Sequence, residues 1–425
     1  MSKIITRFAP SPTGLPHLGT AMYALLNYVY ARQNNGKVIM RSEDTDPARS
    51  KPEFEKAIIE DLAWLGIKAD EFYRQSDRLE IYKKYIKQLI DSGNAYLSKE
   101  KSEEGIENEI VRFKNPNKVI TFTDMSRGEI TVDTADLKDF VIARSMSSPL
   151  FHLTVVVDDY EMGVTHVIRG EDGLANTPRQ ILIQEAIGAP RPVYAHFPFV
   201  LGANRQKIGK RNGAVGIREY REQGYLPEAV LNFCLLLVWH PKDDRELFTL
   251  PEMIENFELK RIGKSGAILD PTKLNWLNRE YIKKLTQEEF LDKAKLYLAN
   301  NESTKFLPVL LERIDKFGDL TGLLAEGGEF DFLTSEPKVT KELLIGKSGA
   351  SAQEIKRHLN FLLEKGTDRD TVWPYAEAEG KGKVLWPMRV ALSGKEKSPD
   401  PFTLTAMLGK EESLVRIRAS IDMLS

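Results

Sequence analysis

The chain is short of several things that would each have announced a function. It has a single cysteine in 425 residues, which rules out a disulfide framework and a Cys-rich zinc site. Its longest apolar run, Val230 to Trp239, is about half of the ~20 residues that a membrane-spanning helix needs. Neither sign of charge dominates, with 60 Lys and Arg against 62 Asp and Glu. Any surface for nucleic acid must then be a local patch. The opening Met1-Ser2-Lys3-Ile4-Ile5 carries no secretory pattern. Repeats and low-complexity tracts are missing, and the length suits about two to four domains. Cys234 lies inside the apolar run and reads as core packing. These absences predict a cytoplasmic protein without a membrane partner.

What is present is a pair of loops suited to phosphate. The first, Pro10-Ser11-Pro12-Thr13-Gly14-Leu15-Pro16-His17-Leu18-Gly19-Thr20, lies between the apolar run Lys3–Phe8 and a helical stretch starting near Gly19. Backbone N–H groups at a helix start favour an anion, and His17 can donate to a phosphate oxygen. The second, Lys207-Ile208-Gly209-Lys210-Arg211, offers ammonium and guanidinium groups beside a mobile glycine. Together they suggest a nucleoside triphosphate gripped from two sides.

The first ninety or so residues alternate strand and helix. Leu18, Met22, Leu25 and Val29 share a helix face ending near Asn34-Asn35-Gly36, Lys37–Arg41 is a second strand, and Pro52–Leu65 a second helix. This pattern implies a right-handed parallel sheet with its ligand at the strands' carboxyl ends, where His17 and Glu43 fall. From about Tyr96 to Pro149, short strand-like pieces such as Lys118–Thr123 and Glu129–Val132 suggest an insertion interrupting the sheet. The β-branched run Leu153–Asp159 reads as a buried strand resuming it. Thr165–Arg169 is another strand, Asn176-Thr177-Pro178 starts a helix to Ile187, and Tyr194–Leu201 leads into the lysine loop. Beyond Glu280, Leu285–Asn300, Phe306–Phe317, Val339–Leu344, Ala352–Lys365 and Pro401–Leu424 all suit helices.

Singly these motifs are weak; their order and spacing are specific. Arg7-Phe8-Ala9-Pro10-Ser11-Pro12-Thr13-Gly14 with His17-Leu18-Gly19-Thr20, Arg41-Ser42-Glu43-Asp44-Thr45-Asp46, Val155–Asp159, Arg169-Gly170-Glu171-Asp172, Asn176–Gln180 and the loop Lys207–Arg211 stand in sequence. Gly224–Ala229, Lys273–Asn278 and Leu385–Gly394 follow. This series resembles the class I aminoacyl-tRNA synthetases, and within them the bacterial glutamyl-tRNA synthetases, over nearly the whole chain. The resemblance implies an α/β architecture: a Rossmann-like parallel-sheet catalytic domain split by an α+β acceptor-binding insertion, then an all-helical anticodon-binding domain. The expected boundaries are 1–95 and 151–205 for the catalytic halves, 96–150 for the insertion, 206–285 for the lysine loop and tRNA stem-contact region, and 286–425 for the helical domain.

The implied reaction joins L-glutamate to tRNA(Glu) using ATP with Mg2+, through glutamyl-adenylate, in a monomeric enzyme. A non-discriminating form would also charge tRNA(Gln). Such chemistry needs positioning and charge stabilisation, not an enzyme nucleophile. The match makes His17, Lys207 and Lys210 catalytic. ATP falls to Pro10, Ser11, His17, Gly19, Thr20 and the loop Lys207, Ile208, Gly209, Lys210, Arg211; glutamate falls to Arg7, Ala9, Ser11, Glu43, Phe151 and Arg169. Arginine forks suit the two carboxylates, and Glu43 suits the ammonium. An ion pair of Arg169 with Glu171 or Asp172, and a helix-capping role for Glu43, are the competing structural readings.

The chain also departs from the family pattern. Gly209 stands where the lysine loop usually has Ser, Phe151 where relatives often have Tyr, and Gly173 where a bulkier residue, often His, is usual. No zinc-binding segment is expected in the short insertion. Lys260-Arg261-Ile262-Gly263-Lys264-Ser265 imitates the lysine loop by its letters, but it is less well placed because it does not follow the Tyr194–Leu201 strand. Trp373, Trp386 and Arg389 are candidate anticodon contacts that suit core packing equally. Rival readings are an enzyme that glutamylates a tRNA base, against which the helical region after Glu280 argues, a glutaminyl-tRNA synthetase, and an inactive tRNA-binding homologue.

Overall fold

The computed structural model describes residues 3–101, 107–202, 205–206, 215–298 and 307–424. The chain divides into two compact units, Met1–Tyr281 and Ile282–Ser425.

The first unit opens with β1 (Ile5–Phe8), α1 (Leu18–Gln33), β2 (Lys37–Ser42), α2 (Pro52–Trp64), β3 (Glu71–Arg74) and α3 (Leu79–Asp91). After the short strands β4 (Ala95–Lys101), β5 (Glu107–Phe113), β6 (Val119–Asp124), β7 (Gly128–Asp133), β8 (Phe140–Ser145) and β9 (Ser148–Pro149) come α4 (Phe151–Glu161), β10 (His166–Gly170), α5 (Thr177–Ile187), β11 (Val193–Phe197) and β12 (Val200–Leu201). The unit ends with α6 (Ile217–Glu222), α7 (Pro227–Leu236), α8 (Leu250–Asn256), β13 (Ala267–Ile268) and α9 (Pro271–Ile282).

The main sheet has seven strands in the order β3-β2-β1-β10-β11-β6-β7. All neighbours are parallel except the β6–β7 hairpin. Strand order reverses between β1 and β10, and such a switch point opens a crevice at the strands' carboxyl ends. One core lies under α1 and α7, with Leu18, Met22, Leu25, Val230 and Cys234. The other lies under α3, α4 and α5, with Tyr82, Leu153, Val156 and Ile181. Cys234 is fully buried, as its apolar surroundings predict, and burial pushes its thiol up to about 12.

Three expectations are corrected in this unit. Leu153–Asp159 is not a strand but the body of α4. It is buried on almost every side, and a short apolar run of that kind carries no period to tell helix from strand. The segment 96–150 is not wholly a separate insertion: β4, β5, β8 and β9 form their own antiparallel sheet, but β6 pairs with β11 and extends the main one. Likewise Tyr194–Leu201 breaks after Phe197, and β12 leaves to pair with β13.

The second unit is helical: α10 (Gln287–Ala294), α11 (Leu307–Leu310), α12 (Asp319–Leu324), α13 (Lys341–Ile345), α14 (Ala352–Lys365), α15 (Arg369–Glu379), α16 (Lys381–Ser393), α17 (Pro401–Leu408) and α18 (Lys410–Asp422). Helix α16 packs against α13, α14, α15, α17 and α18, and Val384, Met388 and Val390 to Leu392 supply its buried face. The expected continuous helix Pro401–Leu424 breaks at Gly409, whose φ of 80° suits glycine. No helix among the described residues is long and apolar enough to cross a membrane.

Helix α4 holds a buried charge shared by two strands. Asp159 accepts from Arg7 Nε at 3.2 Å and Arg41 Nη1 at 2.7 Å. Removing one partner of such a group strands the others in low dielectric. Asp159→Asn is expected to cost about 3–5 kcal/mol of unfolding free energy in urea denaturation. Pairing it with Arg7→Met should recover part of that loss.

Candidate active site

Side chains alternate along a strand, and here the alternation sorts residues between the two cores. Phe8, Met40, Ile168 and Ala195 point under α1 and α7; Val167 and Tyr194 point under α4 and α5. By parity Arg7, Arg41, Arg169 and His196 fall on the α4 side, where α4 presents Asp158 and Asp159. Asp158 accepts from Gln75 Nε2 at 2.9 Å, Arg78 Nε at 2.7 Å and Tyr82 Oη at 2.8 Å. Burial opposes ionisation of Asp159, but Arg7 and Arg41 hold its carboxyl below the usual range. Arg41, fully buried, also reaches Glu43 through Nη2 at 3.3 Å.

Over these groups lies a cleft of about 810 Å³, which Arg7, Glu43 and Arg169 reach and Arg41, Asp158 and Asp159 do not. Arg7, Ala9, Pro10, Ser11, Glu43, Phe151 and Arg169 all line it, together with Tyr23, Asp172 and Gly173. Arg7 gives Nε to Asp159 and Nη1 to Tyr23 Oη at 2.8 Å, while Nη2 makes no hydrogen bond among the described residues. Arg169 gives Nε to His196 Nε2 at 3.0 Å and Nη2 to Gly173 O at 3.0 Å and Thr177 Oγ1 at 2.8 Å. Its Nη1 makes none, and Arg169 has no ion pair among the described residues. The competing partner Glu171 is instead taken by Arg127 and by the Phe199 N–H. Glu43 does not cap a helix, because the next one starts after Lys51. Its carboxyl is raised by burial, with Arg41 and Arg7 pulling the other way.

The other end of the cleft is built by the first loop. His17 is the N-cap of α1, and its Nδ1 accepts from Gly19 N at 3.1 Å. The proton of the neutral ring therefore sits on Nε2. A Cβ at Gly19 would lie 2.9 Å from the His17 ring, so glycine is needed there. The amides of Gly19, Thr20 and Ala21 are already engaged by His17. The open helix start expected from the sequence is thus partly closed by the His17 ring and carbonyl. Gly14, Leu15, Gly19 and Thr20 complete that wall. Lys207, Ile208, Gly209, Lys210 and Arg211 lie outside the described residues, but Gly202 and Val215 on either side both line the cleft. None of Lys260 to Ser265 does; Arg261 donates to His240 O at 2.7 Å.

The family model for the class I tRNA synthetase (E and Q) catalytic domain matches residues 3–109 and 98–276, and that for an anticodon binding domain matches 272–421. A protein of Aquifex aeolicus named glutamate–tRNA ligase is 40% identical, with both chains covered over 100% of their length. This chain belongs to the glutamate–tRNA ligase family of class I aminoacyl-tRNA synthetases. A Hydrogenobaculum relative of the same name is 44% identical over 68% of this synthetase and 72% of its own length. The crystal structure of a glutamate tRNA ligase from Elizabethkingia meningosepticum, in complex with its amino acid, superposes with a TM-score of 0.89 at 30% identity, covering 100% of each chain.

Sequence reasoning on this synthetase missed Tyr23, which orients Arg7, and gave Asp159 no role. Neither carries a local signal: Tyr23 is one of several tyrosines on α1, and Asp159 matters only once α4 is a helix. Trp386 is committed to packing, its Nε1 donating to Leu343 O at 3.0 Å, with Arg389 over its ring at 4.9 Å. Lys381 and Arg369 both stand over the Trp373 ring, at 4.4 and 5.1 Å. Among the described residues no three His, Cys, Asp or Glu gather as a metal site.

Gly173 has its own constraint: a Cβ there would sit 2.3 Å from Arg169 Nε. Gly173→Ala must push the guanidinium aside, and is expected to lower unfolding free energy by about 1–3 kcal/mol, read by chemical denaturation.

Proposed function

We propose that this synthetase joins L-glutamate to tRNA(Glu), as a cytoplasmic monomer, with the cleft at the carboxyl ends of β1, β2 and β10 holding the amino acid. The observation that carries this is the pattern of charge in the cleft. Arg7 and Arg169, each with one guanidinium nitrogen unbonded among the described residues, line the same cleft as the Glu43 carboxylate, which matches a dianion carrying one ammonium group. A neutral amino acid would leave one of these buried groups without its partner, at a cost that gives selectivity.

In the first step an α-carboxylate oxygen of glutamate forms a bond to the α-phosphorus of ATP, and the bond to the β,γ-pyrophosphate breaks. Arg7, Arg169 and Glu43 hold the nucleophile; His17 Nε2 donates to the phosphates. Lys207 and Lys210 follow the charge onto the leaving pyrophosphate. Magnesium is held through one or two carboxylates plus phosphate oxygens in sites of this kind. It would enter with ATP, where it neutralises phosphate charge, and Asp172 on the cleft wall is the carboxylate nearest in kind to that role. In the second step the 2′-hydroxyl of the terminal adenosine attacks the glutamyl carbonyl, and AMP leaves.

ATP–pyrophosphate exchange dependent on glutamate, with tRNA(Glu) present, tests the proposal, and absence of exchange would sink it. Lys210→Ala should slow exchange about 10²–10³-fold. Glu43 must be ionised to receive the ammonium, and its raised carboxyl takes up a proton earlier as pH falls. The acid limb of kcat/KM for glutamate should therefore lie above about 4.3, the ordinary carboxylate value. Glu43→Gln should lower kcat/KM and flatten that limb.

A further inference from the structure

We infer that Asp124 and His196 form a tautomer lock on Arg169, and that His196 is a positioning residue for the amino-acid carboxylate. The inference rests on the glutamate reading of Arg169 given above.

His196 on β11 stands in register with Arg169 on β10, and its Nδ1 lies 2.6 Å from Asp124 Oδ2 at the end of β6. Asp124 and His196 are 1% and 0% exposed. A carboxylate offers no proton, so His196 Nδ1 carries one. Nε2 is then a lone pair, and it receives the Arg169 Nε–H at 3.0 Å. A doubly protonated ring would set one N–H against another. Burial and the nearby Arg169 cation both keep the imidazole neutral, though the Asp124 hydrogen bond pulls the other way.

Asp124 is itself fixed. Its Oδ1 accepts from Ser126 N at 3.0 Å, Ser126 Oγ at 2.7 Å and Arg127 N at 3.0 Å. The chain of bonds Ser126 and Arg127 to Asp124 to His196 to Arg169 ends at a guanidinium with no carboxylate to hold it. Gly173 O and Thr177 Oγ1 both take Nη2; His196 alone takes Nε. With Nε fixed, the plane of the fork is set, and Nη1 is the guanidinium nitrogen that Arg169 keeps unbonded in the lining of the cleft.

Asp124→Asn tests the lock with almost no change of shape. The donors on the Oδ1 side keep the amide oxygen there, so the amide NH2 must face His196 Nδ1. The ring proton then moves to Nε2 and opposes Arg169 Nε–H. In aminoacylation of tRNA(Glu) by the full chain, KM for glutamate should rise about 10- to 100-fold. KM for ATP and kcat should stay within about 3-fold. His196→Gln, whose carbonyl can serve Arg169 and whose amide can serve Asp124, should hold KM for glutamate within about 5-fold of the parent, and His196→Ala should not. The lock is overturned if Asp124→Asn leaves KM for glutamate unchanged, or raises both KM values together. It is overturned equally if Gln at 196 is no better than Ala, a comparison that decides alone should Asp124→Asn fail to fold. Arg169→Ala separates the two levels: unchanged KM for glutamate defeats the glutamate reading and the lock with it. A raised KM there beside an unaffected Asp124→Asn defeats the lock only.

Discussion

The first unit is organised around one carboxylate. Asp159 on α4 is shared by Arg7 of β1 and Arg41 of β2, and each of those arginines is buried. Bringing such charges out of water is costly unless every one is paired and hydrogen-bonded. The pairing therefore dictates where α4 sits on the sheet and in which rotation. With α4 so placed, its neighbour Asp158 collects Arg78, Gln75 and Tyr82, and this ties the start of α3 to the same face.

The cleft follows from that arrangement. Because Asp159 occupies Arg7 Nε and Arg41 Nη1, both cations are held rigidly, and Arg7 Nη2 makes no hydrogen bond among the described residues. Glu43 leans on Arg41, whose charge opposes the effect of burial on its carboxyl. Arg169, one strand over, is oriented by neutral groups alone, so its positive charge remains available to a ligand. The site is thus a fixed pattern of two cations and one anion set before any substrate arrives, the preorganisation on which electrostatic recognition depends.

Much of this is written in the sequence. The strand-helix alternation to Leu65 located β1, α1, β2 and α2, and the order of motifs pointed to the family and placed Arg7, Glu43, Phe151 and Arg169 on one cleft. The parts that were not legible share a cause. Leu153–Asp159 is buried on every side, so its helical nature, and with it the role of Asp159, shows only when both faces of α4 have partners. The β6–β7 hairpin joins the main sheet through the pairing of Tyr194 with Asp124, a contact between segments that sequence reading had assigned to different domains. The link from Asp124 through His196 to Arg169 depends on that pairing. Gly173, which the sequence marks only as a departure from the family pattern, is explained by the guanidinium that occupies the space of its missing side chain.

The central claim is that the amino acid lies between Glu43 and the two arginines. A crystal structure of the full chain with a non-hydrolysable glutamyl-adenylate analogue tests it most directly. The expected result places the ammonium within about 3 Å of Glu43 and a glutamate oxygen within the same reach of Arg7 Nη2 or Arg169 Nη1, with Asp159 still bridging Arg7 and Arg41. An analogue whose glutamyl portion lies away from both arginines, or a complex in which Arg7 leaves Asp159 to bind it, would contradict that claim.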